Sequence, residues 1–171
     1  IQTINIGSSA NDGTGDTIRA GMDKVNDNFA NFKIEGTNFT GSVIIGHSTT
    51  GTLNAATSNT GVGISALDAI TEGDNNVAVG NGALTSLTTG ADNVVLGSAA
   101  GVALSTGSFN IAVGKGALAS EDGHGKNIAI GYSALNTLNA GVDAHNIAIG
   151  YNAGLSISTA VRNTLVGNFA G

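Results

Sequence analysis

Three stretches of this chain carry residue types that could do chemistry. Gly114-Lys115-Gly116-Ala117-Leu118-Ala119 matches G-x-G-x-x-A, in which glycines let a helix N-terminus approach a dinucleotide pyrophosphate. That fingerprint needs a helix after it and an acidic residue about 20 positions on. A new strand-like phrase begins at Asn127 instead, so no nucleotide site is expected. Asn11-Asp12-Gly13-Thr14-Gly15-Asp16 has the oxygen-rich character of a calcium loop. Aligning Gly13 with the loop's central glycine puts Ser8 and Ala10 where carboxylates belong and Arg19 at the bidentate acid, so it reads as a turn capping a helix. Glu121-Asp122-Gly123-His124-Gly125-Lys126 is a charged turn in which Glu121 takes a position that is aliphatic elsewhere. A bound cation, a partner contact or a solvated bulge would each explain it, and the reading taken is the bulge, with Glu121 turned outward by local slippage.

Other catalytic constellations are missing. His47, His124 and His145 fall at different phases, so only symmetry-related copies could gather one of them around an ion, and each reads as a turn-exposed side chain. Ser and Thr are abundant but lack a His and an acid at fixed phase, and the strand faces carry only Glu121 where glycan hydrolysis would need a carboxylate pair. The chain is read as a non-enzyme, with no catalytic, cofactor-binding or metal residue assigned.

Composition narrows the class. Aromatic residues make up 4% of the 171, and Trp, Cys and Pro are absent, so small side chains must supply the packing. Without Cys there is no disulfide framework and no thiolate zinc site, and the redox compartment stays open. Twelve acidic against six basic residues leave no basic footprint for nucleic acid. No run of about 18 apolar residues suggests membrane insertion, and no Lys- or Arg-led apolar segment suggests a signal peptide. A start at Ile1 and an end inside a repeated phrase are expected of a piece cut from a longer chain.

The dominant signal is internal repetition. A phrase such as Asn76-Val77-Ala78-Val79-Gly80 begins at Ser42, Asn59, Asn76, Asn93, Asn110, Asn127, Asn146 and Asn163, at a spacing of 17 with one step of 19. Its fifth residue is always Gly: Gly46, Gly63, Gly80, Gly97, Gly114, Gly131, Gly150 and Gly167. An unvarying glycine marks a backbone corner that needs positive φ or close approach of another segment. The second and fourth residues are Val, Ile, Leu or Thr, a period-two apolar face. The third is often Ala (Ala78, Ala112, Ala129, Ala148), so the opposite face is apolar but small, and the strand should be buried on both sides.

After the corner, an Ala seven residues past the start (Ala66, Ala83, Ala100) and an aliphatic four later (Ile70, Leu87, Leu104) read as a second short strand closed by polar turns. A 17-residue unit cannot bury its own apolar face, whereas stacked copies can. The fold expected over residues 42–171 is an all-β parallel β-roll, or solenoid, of about eight coils. Asn at one corner of successive coils should form an amide ladder.

The Asn-(Val/Ile)-Ala-(Val/Ile)-Gly-x-x-Ala phrase resembles the head repeat of trimeric autotransporter adhesins, and its 17-residue form is similar to repeats in bacteriophage tail fibres. The resemblance covers roughly three quarters of the chain and departs at Ser42 and Gly61. It implies three rolls side by side about a threefold axis, and no catalytic residue. Residues 1–41 hold 8 of the 18 charged groups and look like a short module found ahead of fibre regions in phage virion proteins. A helix over about 16–32, capped by Asp16 or Thr17, aligns Ile18, Met22, Val25, Phe29 and Phe32 as a heptad seam. Two heptads are too short to hold an oligomer alone, so the helix should act with the roll or a docking partner.

The expected function is a structural segment of a homotrimeric phage tail fibre or virion appendage, extracellular, joined to other virion proteins through residues 1–41 and leading to a host-recognition tip. The alternative is a bacterial trimeric surface adhesin head that binds matrix or glycan. The Ala at the third position is the expected interface between rolls, so Ala129→Arg should break assembly.

Overall fold

A computed structural model describes residues 32–36, 39–45 and 55–171. Ten strands form one sheet: β1 (Phe32–Gly36), β2 (Phe39–Ile45), β3 (Ala56–Thr57), β4 (Thr60–Val62), β5 (Val77–Val79), β6 (Val94–Leu96), β7 (Ile111–Val113), β8 (Ile128–Ile130), β9 (Ile147–Ile149) and β10 (Thr164–Val166). β1 and β2 pair antiparallel, β3 pairs with the start of β2, and from β2 every coil strand pairs parallel with the next. Gly61, Ala78, Val95, Ala112, Ala129, Ala148 and Leu165 stand in one register column. The all-β parallel solenoid expected from the 17-residue spacing is the observed fold, over about seven coils. At about 4.8 Å per coil the stack from β2 to β10 is on the order of 35 Å long.

Part of the N-terminal expectation lies outside the described residues: Ile18, Met22, Val25 and Phe29, the calcium-like turn at 11–16, and Gly46 and His47. Phe32, placed at the end of the expected helix, instead opens β1.

Two ladders fix the phase of each coil. Asn110 shows the first: its backbone N–H and Nδ2 both donate to Asn93 Oδ1, at 2.9 and 3.2 Å, while Asn93 Nδ2 donates to Asn76 Oδ1 and to Gly107 O. These amides are fully buried, and the ladder satisfies them without a ligand. The second is the glycine column, where φ runs from +130° at Gly114 to +144° at Gly97. A Cβ on Gly97 would lie 2.5 Å from Gly114 O, so the corner needs both the backbone freedom and the missing side chain.

From β4 onward each coil has one three-residue strand, not two. The expected second strand is a run of turns, with left-handed backbone at Ser65 and Leu67, and again at Gly82 and Leu84. The reason is visible in the spacing. Ala66, Leu67 and Ile70 are all fully buried, and steps of one and three residues cannot lie on one face of an extended strand. Coils still bond to one another there, through Leu67 N–H to Ala83 O at 3.1 Å and Leu84 N–H to Ala100 O at 3.2 Å.

The strand faces are also reversed from expectation. Ala78, Ala112, Ala129 and Ala148 point into the coil and are fully buried within a single chain, whereas the second and fourth residues point outward. The cause is volume. A 17-residue coil encloses a narrow core already holding Leu67, Leu84, Leu118 or Leu135 from the far wall, so little more than a methyl fits at the third position. Where that position is larger, at Val95, the far wall gives way to Gly101, whose added Cβ would meet Leu84 Cδ2 at 3.0 Å and Val95 Cγ2 at 3.7 Å.

Candidate functional site

The outward sheet face carries an aliphatic column on either side of the buried third position. Its two columns run Thr60, Val77, Val94, Ile111, Ile128, Ile147 and Val62, Val79, Leu96, Val113, Ile130, Ile149, one pair per coil. The more open members, Val79, Val94, Leu96 and Ile149, are each 38% exposed. No charged side chain interrupts either column between Thr60 and Val166. From Val77 and Val79 to Ile147 and Ile149 both columns are aliphatic throughout, the kind of exposed apolar patch that often covers an interaction site. Its members are branched because the pleated sheet favours them, and they alternate with the buried Ala because strand side chains alternate.

Beside the glycine corner lies an aromatic column. Tyr132 and Tyr151 stack with ring centroids 5.1 Å apart and planes 10° from parallel, and Phe169 meets Tyr151 edge-on at 5.4 Å. All three are exposed. A stacked pair of this kind stabilises neighbouring coils by about 0.5–1.5 kcal/mol beyond area burial.

The charged turn differs from its expected state. Glu121 is fully buried rather than turned outward, because the spacing from Asn110 to Asn127 remains 17 and the ladder between those amides is intact, which leaves no slippage to rotate it. Its Oε1 lies 3.2 Å from His124 Nδ1, and its Oε2 accepts from Ala140 N–H at 3.4 Å. The irregularity falls one coil later, between Asn127 and Asn146. There Asn127 Nδ2, while still donating to Asn110 Oδ1, turns to Gly125 O in place of the carbonyl 14 residues on, whereas Asn146 donates from its backbone N–H to Asn127 Oδ1 and from Nδ2 to Ala160 O, the regular 14-residue step. Lys126 Nζ lies 2.7 Å from Asp143 Oδ2 across this junction. That hydrogen bond, with one from Gly125 N–H, lowers the Asp143 pKa below the ordinary 3.8. The pair therefore helps the fold at neutral pH, and its contribution is lost as pH falls through the lowered value. With both side chains 45% exposed, it is worth at most about 1 kcal/mol.

The remaining sequence candidates are not brought together. In the G-x-G-x-x-A stretch, Gly114 is a corner glycine with φ +130° and Gly116 a left-handed turn, and turns rather than a helix follow. His145 Nδ1 lies 3.1 Å from Asp143 O, one coil away from His124. The inward placement of the Ala column could not be read from the sequence, since both faces of each strand are apolar. No protein-family model, curated protein or solved structure significantly matches this chain.

Proposed function

We propose that the chain is a structural segment of a homotrimeric phage tail fibre or virion appendage, in which the solenoid is a stiff spacer and the N-terminal residues join it to other virion proteins. The observation that carries this reading is the pair of uninterrupted apolar columns on the outer sheet face. Branched side chains left in water on every coil represent unused burial of about 25 cal/mol per Å², and identical chains set sheet face to sheet face recover it along the whole rod. Three copies, rather than two, follow from the resemblance of the repeat to trimeric fibre and adhesin heads. The interface so assigned is formed by the outward aliphatic columns and replaces the Ala column expected from sequence.

A bacterial trimeric adhesin head is the second reading, favoured by the exposed Tyr132, Tyr151 and Phe169 cluster, which offers ring edges to matrix or glycan. Light scattering on the 171-residue chain tests the shared element. A mass three times 16.7 kDa is expected at micromolar concentration, and a monodisperse monomer overturns the assembly. Visualising the parent assembly then separates the readings, since a virion appendage supports the first and a cell-surface anchor the second.

A further inference from the structure

The coil that starts at Asn110 changes two slots of the repeat together. Eleven residues after its Asn, where other coils hold Ile70, Leu87, Leu104 and Leu138, stands Glu121. Fourteen residues after it, where the three preceding coils hold Gly73, Gly90 and Gly107, stands His124. In those coils the glycine slot is closed to any side chain first by a carbonyl of the next coil, Gly107 O over Gly90 and His124 O over Gly107, and then by the aliphatic, with a Cβ on Gly107 lying 2.7 Å from Leu104 Cδ1 and one on Gly90 2.6 Å from Leu87 Cδ1. In the Asn110 coil the two replacements meet instead, Glu121 Oε1 to His124 Nδ1 at 3.2 Å. Asp122 Oδ1 lies 4.0 Å from the same nitrogen, and one ligand atom from each of the three residues falls within 4.8 Å of the others. The two-residue insertion comes in the very next coil.

Glu121 has no exposure at all, in a column that is otherwise apolar. A buried carboxylate needs a compensating cation or dipoles. Lys126, five residues on, is engaged by Asp143, and among the described residues the donor facing Glu121 besides His124 is the Ala140 N–H, at 3.4 Å.

We propose that Glu121, Asp122 and His124 form a site for one divalent transition-metal ion of the zinc class. Glu121 and Asp122 each give a carboxylate oxygen and His124 gives Nδ1, with water completing the shell. One imidazole nitrogen with two carboxylate oxygens suits zinc or cobalt, whereas calcium and magnesium favour oxygen-only shells. The buried Glu121 holds the ion against the coil, while Asp122 at 59% and His124 at 32% exposure leave a route from solvent. The ion would neutralise the buried charge and clamp the turn beside the longer coil. This assignment is independent of what the whole assembly does.

The test is calorimetric titration of the metal-free 171-residue chain with zinc chloride, paired with thermal unfolding with and without zinc. One zinc per chain and a raised unfolding midpoint are expected. Glu121→Gln and His124→Ala should each weaken binding by more than the roughly 10-fold that loss of an outer-shell partner costs. The double variant Glu121→Leu with His124→Gly restores the pair found in neighbouring coils, so it should fold at least as stably without metal and bind none. Cobalt should compete with zinc, and calcium should not. Failure of the wild-type chain to bind zinc, equal binding by the double variant, or effective competition by calcium would each overturn the assignment.

Discussion

Single residues set the phase of the stack, and their costs differ sharply by slot. Gly97 combines φ +144° with a Gly114 carbonyl 2.5 Å from any added Cβ, while Gly141 has φ +69° and nothing within 4 Å. Gly141→Ala should therefore cost only the left-handed penalty of about 1–2 kcal/mol, whereas Gly97→Ala must also separate two coils and should unfold the region. Denaturant midpoints of the two variants check the contrast, and similar shifts would show that the corner column is not a contact. Asn93→Ala should cost about 3 kcal/mol or more, because Asn110 N–H, Asn110 Nδ2 and Gly107 O lose their buried partner at once. Chemical denaturation reads this directly. The Gly and Asn columns were legible in the sequence because a backbone corner and an amide ladder each demand one residue type at one phase. The orientation of Glu121 was not, since a carboxylate in an aliphatic slot reads as slippage until the flanking Asn ladder is seen to hold its 17-residue step.

At the scale of the element, alternation gives the phase of a strand but not which face looks inward. Val-Ala-Val and Ile-Ala-Ile have no polar face to break the tie, so the Ala column could as well line an interface as a core. The deciding quantity is enclosed volume, which depends on the far wall of the coil. The turn segment escaped detection for a related reason: its left-handed residues include Leu67, Leu84, Leu118 and Leu135, which carry no turn signature of their own. Compensation between Val95 and Gly101 makes the volume argument testable. Val95→Ala should open a cavity, and Gly101→Leu alone should overpack the core at a cost of about 1–3 kcal/mol. Together they recreate the Ala and Leu pairing of the coil that begins at Asn76, so the double variant should be more stable than the two single costs added. A double-mutant cycle should give a coupling of about 0.5–3 kcal/mol, and strict additivity would mean that the two walls do not share one space.

For the whole molecule, stability is close to a sum of coils and nearest-neighbour contacts, so a change on the outer face and one on the inner face should act differently. Val79 and Leu96 point outward on adjacent coils, where a lysine can reach water without disturbing the core. Val79→Lys with Leu96→Lys should leave far-ultraviolet circular dichroism of the chain unchanged while converting the proposed trimer to single chains in light scattering. Ala129→Arg, which the sequence pattern alone places at an interface, acts from inside: a fully buried methyl would be replaced by a charged chain with nowhere to go. It should remove the coil structure itself, with the dichroism signal lost together with the proposed trimer. If the lysine pair left the assembly intact, the apolar columns would face solvent in the working molecule. If Ala129→Arg kept a folded solenoid and lost only assembly, the Ala column would have to be an interface after all.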